Sequence, residues 1–200
     1  MVKVAGRPIL ERIILHLVGF GIKRIFISIN YLGEVIQKYF GDGSLFGCKI
    51  DYLYEDQPLG SGGSISLMPE LPIHPFLVLN GDLITQFDVD RMLRFHSHGK
   101  FLLTMAVYEY LHTVPYGVVE ISENNVKNIH EKPTCTWLVN AGIYVFEPSL
   151  VERIPKDKFF PLTILIQECL DAGDSVGAFY LNDDWIDIGR KEELEKASGR

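Results

Sequence analysis

Two aspartates stand where a chain of this kind could hold a metal-bound phosphate. Asp82 closes the run Asn80-Gly81-Asp82, directly after the apolar stretch 75–79. In open α/β sheets ligands sit outside the carboxyl ends of strands, and a carboxylate on a glycine turn there reaches a bound Mg²⁺ and its phosphates. Asp187 lies within Trp185-Ile186-Asp187-Ile188-Gly189, again among apolar residues and ahead of a glycine. A third stretch, Leu59-Gly60-Ser61-Gly62-Gly63-Ser64, has side chains small enough for backbone N–H groups to approach a ligand closely. It has neither the GxxxxGKS/T spacing of a Walker loop nor the GxGxxG of a dinucleotide fold. Taken singly, each stretch has a plainer reading. Asp82 caps a turn, Asp187 caps a last helix, 60–64 is a flexible loop, and Lys132 in Glu131-Lys132-Pro133 is an exposed turn lysine. Asp88-Val89-Asp90 has the DxD form of a metal site in many glycosyltransferases. Met92, Leu93 and Phe95 follow it at helical spacing, which makes Asp88 a helix cap.

The elements that must position these residues alternate. Pro8 suits a first helical turn, and Ile9, Leu10, Ile13, Ile14, Leu17 and Val18 recur at helical spacing until Gly19 and Gly21. Strands are predicted at 24–29, 48–54 and 75–79, helices at 33–40 and 62–67. The middle changes character: 101–108, 117–121, 126–129 and 137–146 read as strands joined by turns, with Glu123-Asn124-Asn125 as a hairpin tip. Helical spacing returns at 161–170, then a strand at 175–181 and a charged helix from Lys191. Such alternation favours an α/β domain with a mostly parallel sheet covered by helices and a β-rich insertion.

Composition excludes several classes. Of 200 residues, 47% are apolar and 22% charged, which removes disordered and fibrous proteins. The net charge of −7 comes without a basic run, so nucleic acid is not an expected partner. No apolar run reaches the roughly 18 residues of a membrane span, and no cleavable leader is visible. Cys48, Cys135 and Cys169 show neither a CxxC pair nor an even count, so each reads as a small buried hydrophobe. A reducing cytoplasm is the default compartment. The histidines show no ligand spacing with cysteines or carboxylates.

The order of the motifs is more specific than any one of them. Pro58-Leu59-Gly60-Ser61-Gly62-Gly63, Asn80-Gly81-Asp82, Tyr116-Gly117-Val118-Val119, Glu131-Lys132-Pro133, Asn140-Ala141-Gly142-Ile143-Tyr144 and Trp185-Ile186-Asp187-Ile188-Gly189 follow one another. Together they resemble the motif series of the sugar-1-phosphate nucleotidyltransferases, and the likeness covers almost the whole chain. The leaning is slightly toward the mannose- or glucose-1-phosphate guanylyltransferase branch. The resemblance implies a Rossmann-like, GT-A-like domain over 1–200. Its substrates would be a nucleoside triphosphate and a sugar 1-phosphate, and its products a nucleotide-sugar and pyrophosphate. It implies Mg²⁺ held by Asp82 and Asp187, and Gly60, Ser61 and Gly62 along the nucleobase and ribose. Asn80 and Gly81 belong to the same substrate cleft. Gly117, Glu131, Asn140 and Gly142 fall at sugar-contacting positions, and Lys132 grips the sugar phosphate. Homo-oligomerisation is compatible with it.

One departure bears on activity. The family opens with a strand, a Gly-Gly-x-Gly-Thr-Arg-Leu loop and a Lys-Pro, and these do not occur in this sequence. That loop supplies amides and cations for the β- and γ-phosphates. The chain as written is therefore expected to release little pyrophosphate, while weak nucleotide-sugar binding persists. A non-catalytic nucleotide-sugar-binding regulatory domain of the same fold is the alternative.

Overall fold

The computed structural model describes residues 1–4 and 6–189; the helix expected from Lys191 lies outside them. Short strands β1 (Lys3–Val4) and β2 (Arg7–Pro8) lead into α1 (Ile9–Gly19), β3 (Arg24–Ile29), α2 (Gly33–Phe40) and β4 (Lys49–Tyr54). One turn of helix, α3 (Gly60–Gly63), precedes β5 (Phe76–Leu79), β6 (Leu83–Thr85) and α4 (Val89–Gly99). The β-rich middle comprises β7 (Leu103–Thr113), β8 (Gly117–Ser122), β9 (Asn125–Glu131) and β10 (Thr134–Phe146). After it come α5 (Leu162–Asp171), β11 (Val176–Tyr180) and β12 (Trp185–Asp187). None of the described helices is long and apolar enough to cross a membrane.

The architecture is mixed α/β. The central sheet has the order β11-β7-β10-β5. β11 runs parallel to β7, and β10 is antiparallel to both β7 and β5. The antiparallel share exceeds what the helix–strand alternation suggested. The reason is the insertion: β7 and β10 are joined by a β-hairpin, and a hairpin connection allows only antiparallel neighbours, whereas parallel ones need a crossover. β3 and β4 form a separate parallel pair. Among the described residues β5 pairs with β10 alone. Its four apolar side chains, Phe76 to Leu79, are accordingly half-buried rather than buried.

Period-2 alternation divides the core between the two faces of this sheet. Leu103, Tyr144 and Phe146 face one side, where Leu162, Leu165 and Cys169 of α5 pack. Ala106, Ile143, Val145 and Phe179 face the other, against Met92 of α4 and Leu17 of α1. The neighbouring stripe of α1, with Ile14, packs on Ile27, Ile29 and Ile50 of the β3–β4 pair. The Asp88 carboxylate accepts the Arg91 N–H at 2.8 Å, so the DxD-like stretch does cap α4.

Beyond this core β7 and β10 continue as a two-stranded ribbon, and among the described residues β8 and β9 pair only with each other. Both strands of the ribbon are longer than their expected 101–108 and 137–146, because they run past the layer that buries them. The projection also corrects one expectation: Cys135 is exposed, while Cys48 and Cys169 are buried as expected. Ser122 pairs with Asn125, leaving Glu123 and Asn124 as the turn. Glu123 has a φ of 52°, the left-handed conformation that a tight hairpin turn demands.

Candidate active site

The two aspartates meet. Asp82 follows β5, and Asp187 ends β12, which is antiparallel to β6 with Asp187 opposite Leu83. The Ile188 N–H donates to the Asp82 carbonyl at 3.1 Å. One Asp187 oxygen lies 3.1 Å, and one Asp82 oxygen 3.2 Å, from the single point that a Cβ on Gly189 would occupy. The Gly189 N–H donates to Asp187 Oδ1 at 2.9 Å, fixing one carboxylate. Asp82 keeps a solvent-facing side, yet the surrounding protein desolvates it, and this burial pushes its carboxyl above the usual range. The charge of Asp187 adds to that rise. Two like charges so placed are relieved by a cation between them. A pair of carboxylates with open positions for phosphate oxygens and water suits Mg²⁺. Among the described residues no third His, Cys, Asp or Glu joins the pair.

This corner is tied to the central sheet by contacts with β10. The indole N–H of Trp185 donates to the Ala141 carbonyl at 2.9 Å, holding β12 to β10. The Asn80 N–H donates to the Gly142 carbonyl at 2.9 Å. Gly142 has a φ of +70°, and a Cβ there would stand 2.6 Å from Asn80 Nδ2, so the close approach requires glycine. Asn140 spans the bulge in β10: it donates to Tyr144 Oη at 2.7 Å and accepts the Gly142 N–H at 3.0 Å. Its side chain is thereby oriented, with one N–H and one oxygen lone pair left for a further partner.

The glycine-rich stretch is bound from its far side. Gly62 and Gly63 N–H both donate to the Phe160 carbonyl, at 2.9 and 3.0 Å, and Phe160 N–H donates to the Leu59 carbonyl at 2.7 Å. Ser61 Oγ accepts the Leu162 N–H at 3.0 Å. A Cβ on Gly62 would stand 2.9 Å from the Phe160 carbonyl. The close backbone approach expected of Gly60, Ser61 and Gly62 thus exists, but at Gly62 its partner is residue 160 of this chain. Gly60 and Ser61 keep their N–H groups outside these bonds. The preceding Glu55 was not singled out from sequence. It accepts the Leu59 N–H at 2.8 Å and pairs with Ser28 at the end of β3, fixing the loop to the first strand pair. For Phe160 there was no signal in the sequence.

The remaining candidates sit at the root of the hairpin. Gly117 lies opposite Glu131 across β8 and β9, and a Cβ on Gly117 would stand 3.2 Å from Glu131 Oε2. Lys132 is exposed, with a left-handed φ of 46°, and its N–H donates to the Tyr116 carbonyl at 3.3 Å. The structure thus assembles Asp82, Asp187, Asn80, Asn140 and Gly142 into one hydrogen-bonded corner. Gly117, Glu131 and Lys132 form a second group on the arm, and 60–62 a third.

A Nucleotidyl transferase family model matches residues 1–200. The chain belongs to the nucleotidyl transferase family. Mannose-1-phosphate guanylyltransferase of Mycobacterium tuberculosis is 29% identical, over 99% of this chain and 57% of that protein. The catalytic subunit beta of the Drosophila melanogaster enzyme is 32% identical, over 97% and 54%. UTP–glucose-1-phosphate uridylyltransferase of Synechocystis is 28% identical, over 98% and 56%. This nucleotidyl transferase chain therefore spans little more than half the length of these curated relatives. Among solved structures, HddC from Yersinia pseudotuberculosis has a TM-score of 0.77 at 28% identity, covering 100% of this chain and 88% of that one. The same protein complexed with GMP-PN gives 0.76 at 27%.

Proposed function

We propose that this domain transfers a nucleotidyl group from a nucleoside triphosphate to a sugar 1-phosphate, with GTP and mannose 1-phosphate as the first pair to test. The observation that carries the reading is the Asp82–Asp187 pair, two carboxylates gathered at one point with the Asp82 carboxyl driven up by burial and by its neighbour. The choice of GTP draws on the guanylyltransferase names of two relatives and on the GMP-PN complex of a structural neighbour.

The chemistry needs no covalent intermediate. The sugar-phosphate oxygen attacks the α-phosphorus in line and pyrophosphate leaves, so the protein's task is positioning and neutralising charge. Asp82 and Asp187 would hold a Mg²⁺, which would supply positive charge at the reacting phosphates. The carboxylates then act as ligands, not as acid or base. Asn140, fixed by Tyr144 and Gly142, presents a rigid edge to the sugar. Lys132 carries the compact cation that suits the sugar phosphate. Gly60 and Ser61 offer backbone N–H groups to the nucleoside.

The test is pyrophosphate release by this chain, and by the chain preceded by a Gly-Gly-x-Gly-Thr-Arg-Leu segment. It is run with Mg²⁺ across GTP, UTP, dTTP and CTP against mannose and glucose 1-phosphates. Turnover with one pair, abolished by Asp187→Asn, is the expected result in the extended chain. Silence of both chains with every pair overturns the catalytic reading in favour of a nucleotide-sugar-binding regulatory domain.

A further inference from the structure

At the far edge of the central sheet from Asp82, α4 turns a basic stripe toward β11. Arg91, Arg94, Phe95 and His98 stand at offsets of three, four and seven residues, which places them on one helical face. Between that stripe and Ala178, Phe179 and Tyr180 of β11 lies a pocket of about 360 Å³. Two strands stand between β11 and β5, the strand that leads to Asp82, so these two edges of the sheet lie roughly 14 Å apart.

The two arginines are uncommitted. This chain carries 26 acidic residues against 19 Lys and Arg, and Arg24 and Arg153 are both ion-paired. Among the described residues neither Arg91 nor Arg94 has a carboxylate within ion-pair distance. Arg91 is held at the wall instead, its guanidinium carbon 5.0 Å from the centre of the Phe179 ring. β11 adds backbone donors. The Leu181 N–H donates to the Val107 carbonyl, and the Ser175 carbonyl accepts from Leu102. Odd-numbered residues of β11 thus bond to β7, so Ala178 and Tyr180 turn their N–H groups to the edge that is unpaired among the described residues. Two forked guanidinium groups, an imidazole and outward amides match the oxygens of a phosphate. The volume exceeds that of a bare phosphate and lies in the range of small-ligand sites, with Phe95 and Phe179 among the lining residues.

We propose that the pocket between α4 and β11 binds a phosphate group, the phosphoryl end of a small phosphorylated molecule, separately from the aspartate corner. The experiment is calorimetric titration of the full chain, at constant ionic strength and without divalent ions. The probes are pyrophosphate, inorganic phosphate and a nucleoside monophosphate. Arg94→Gln is expected to weaken binding about tenfold or more, and Arg94→Lys by less, since it keeps charge but loses the fork. Asp82→Asn and Lys132→Ala are expected to leave it within about twofold. An unchanged melting temperature of Arg94→Gln shows that the fold survives; should Arg91→Gln unfold through its lost Phe179 contact, Arg94 decides alone. Tighter binding of the monophosphate than of inorganic phosphate assigns the ligand as an ester, and equal binding as the free anion. Absence of saturable binding, insensitivity to Arg94→Gln, or loss in Asp82→Asn overturns the proposal. These outcomes are independent of whether the domain turns over.

Discussion

The Asp82–Asp187 corner and the β8–β9 arm carry the two halves of the proposed site, and they are built in opposite ways. The corner is pinned by Trp185 to Ala141, by Asn80 to Gly142 and by Ile188 to Asp82, beside the buried residues 141–146. The arm is a two-stranded hairpin whose β9 is exposed along its whole length, with Ile121, Val126 and Ile129 each over 60% accessible. A lone two-stranded hairpin is marginal in water. The contrast teaches that the proposed metal end is organised before any ligand arrives. The proposed sugar end, with Gly117, Glu131 and Lys132, stands on an exposed hairpin held mainly by its own ladder.

The comparison is broken most directly at the carboxylates. In the active form of the protein, Asp82→Asn or Asp187→Asn is expected to lower turnover by about 10²–10³. Melting temperature should hold or rise, since a like-charge repulsion is removed; a large loss of stability would show that the pair is structural. Next comes Lys132→Ala, expected to raise KM for sugar 1-phosphate by about tenfold or more with little change for the nucleotide. Equal effects on both substrates would remove Lys132 from the sugar-phosphate role.

A third variant tests the rigidity of the corner itself. Gly142→Ala forces an alanine to φ +70° and its methyl into Asn80. A loss of about 1–3 kcal/mol in denaturant unfolding is expected. The matching change on the arm, Gly117→Ala, meets only the end of the Glu131 side chain at 3.2 Å and the flexible Ile129, and should cost under about 1 kcal/mol. Equal costs would erase the distinction between the two regions.

The smallest effect concerns His96, buried between α4 and β7. Its Nδ1 bonds to Thr104 Oγ1 at 2.8 Å. Its Nε2 has no hydrogen-bond partner; Glu147 Oε1 stands 3.4 Å away, too poorly aligned to serve. Burial holds the imidazole below its ordinary value of 6.5, with Glu147 opposing more weakly. A histidine kept neutral in the fold takes up its proton first in the unfolded chain. Its contribution is therefore full above pH 6.5 and declines as pH falls below it, by at most about 1.4 kcal/mol per unit. Urea unfolding between pH 7.5 and 5 should show this slope, and His96→Gln should flatten it. An unchanged slope would assign the acid sensitivity elsewhere.

Much of this was legible in the residues. The rule that ligands collect at strand ends pointed to Asp82, and the small residues of 60–64 marked a close backbone approach, met at Gly62 by the Phe160 carbonyl. What was not legible was long-range or short-lived in sequence. β6 and β12 have three residues each, too few to show a period, yet their pairing brings Asp187 to Asp82. The bond between Leu162 and Ser61 joins residues 101 apart and leaves no local pattern. Cys135 was misplaced because an apolar-looking strand can outrun the core that would bury it.

One consequence of the single-sided pairing of β5 concerns solvent exchange at its amides. Asn80 bonds to Gly142, and alternation carries this pattern to Val78 and Phe76, whereas Leu77 and Leu79 direct their N–H groups away from β10. β10, paired on both sides along 144–146, has no such outward set there. Deuterium should therefore enter Leu77 and Leu79 well before Val78, Asn80 and their β10 neighbours, through openings far cheaper than global unfolding. The strand that delivers Asp82 would then move as a leaf hinged along β10, its other margin unpaired among the described residues.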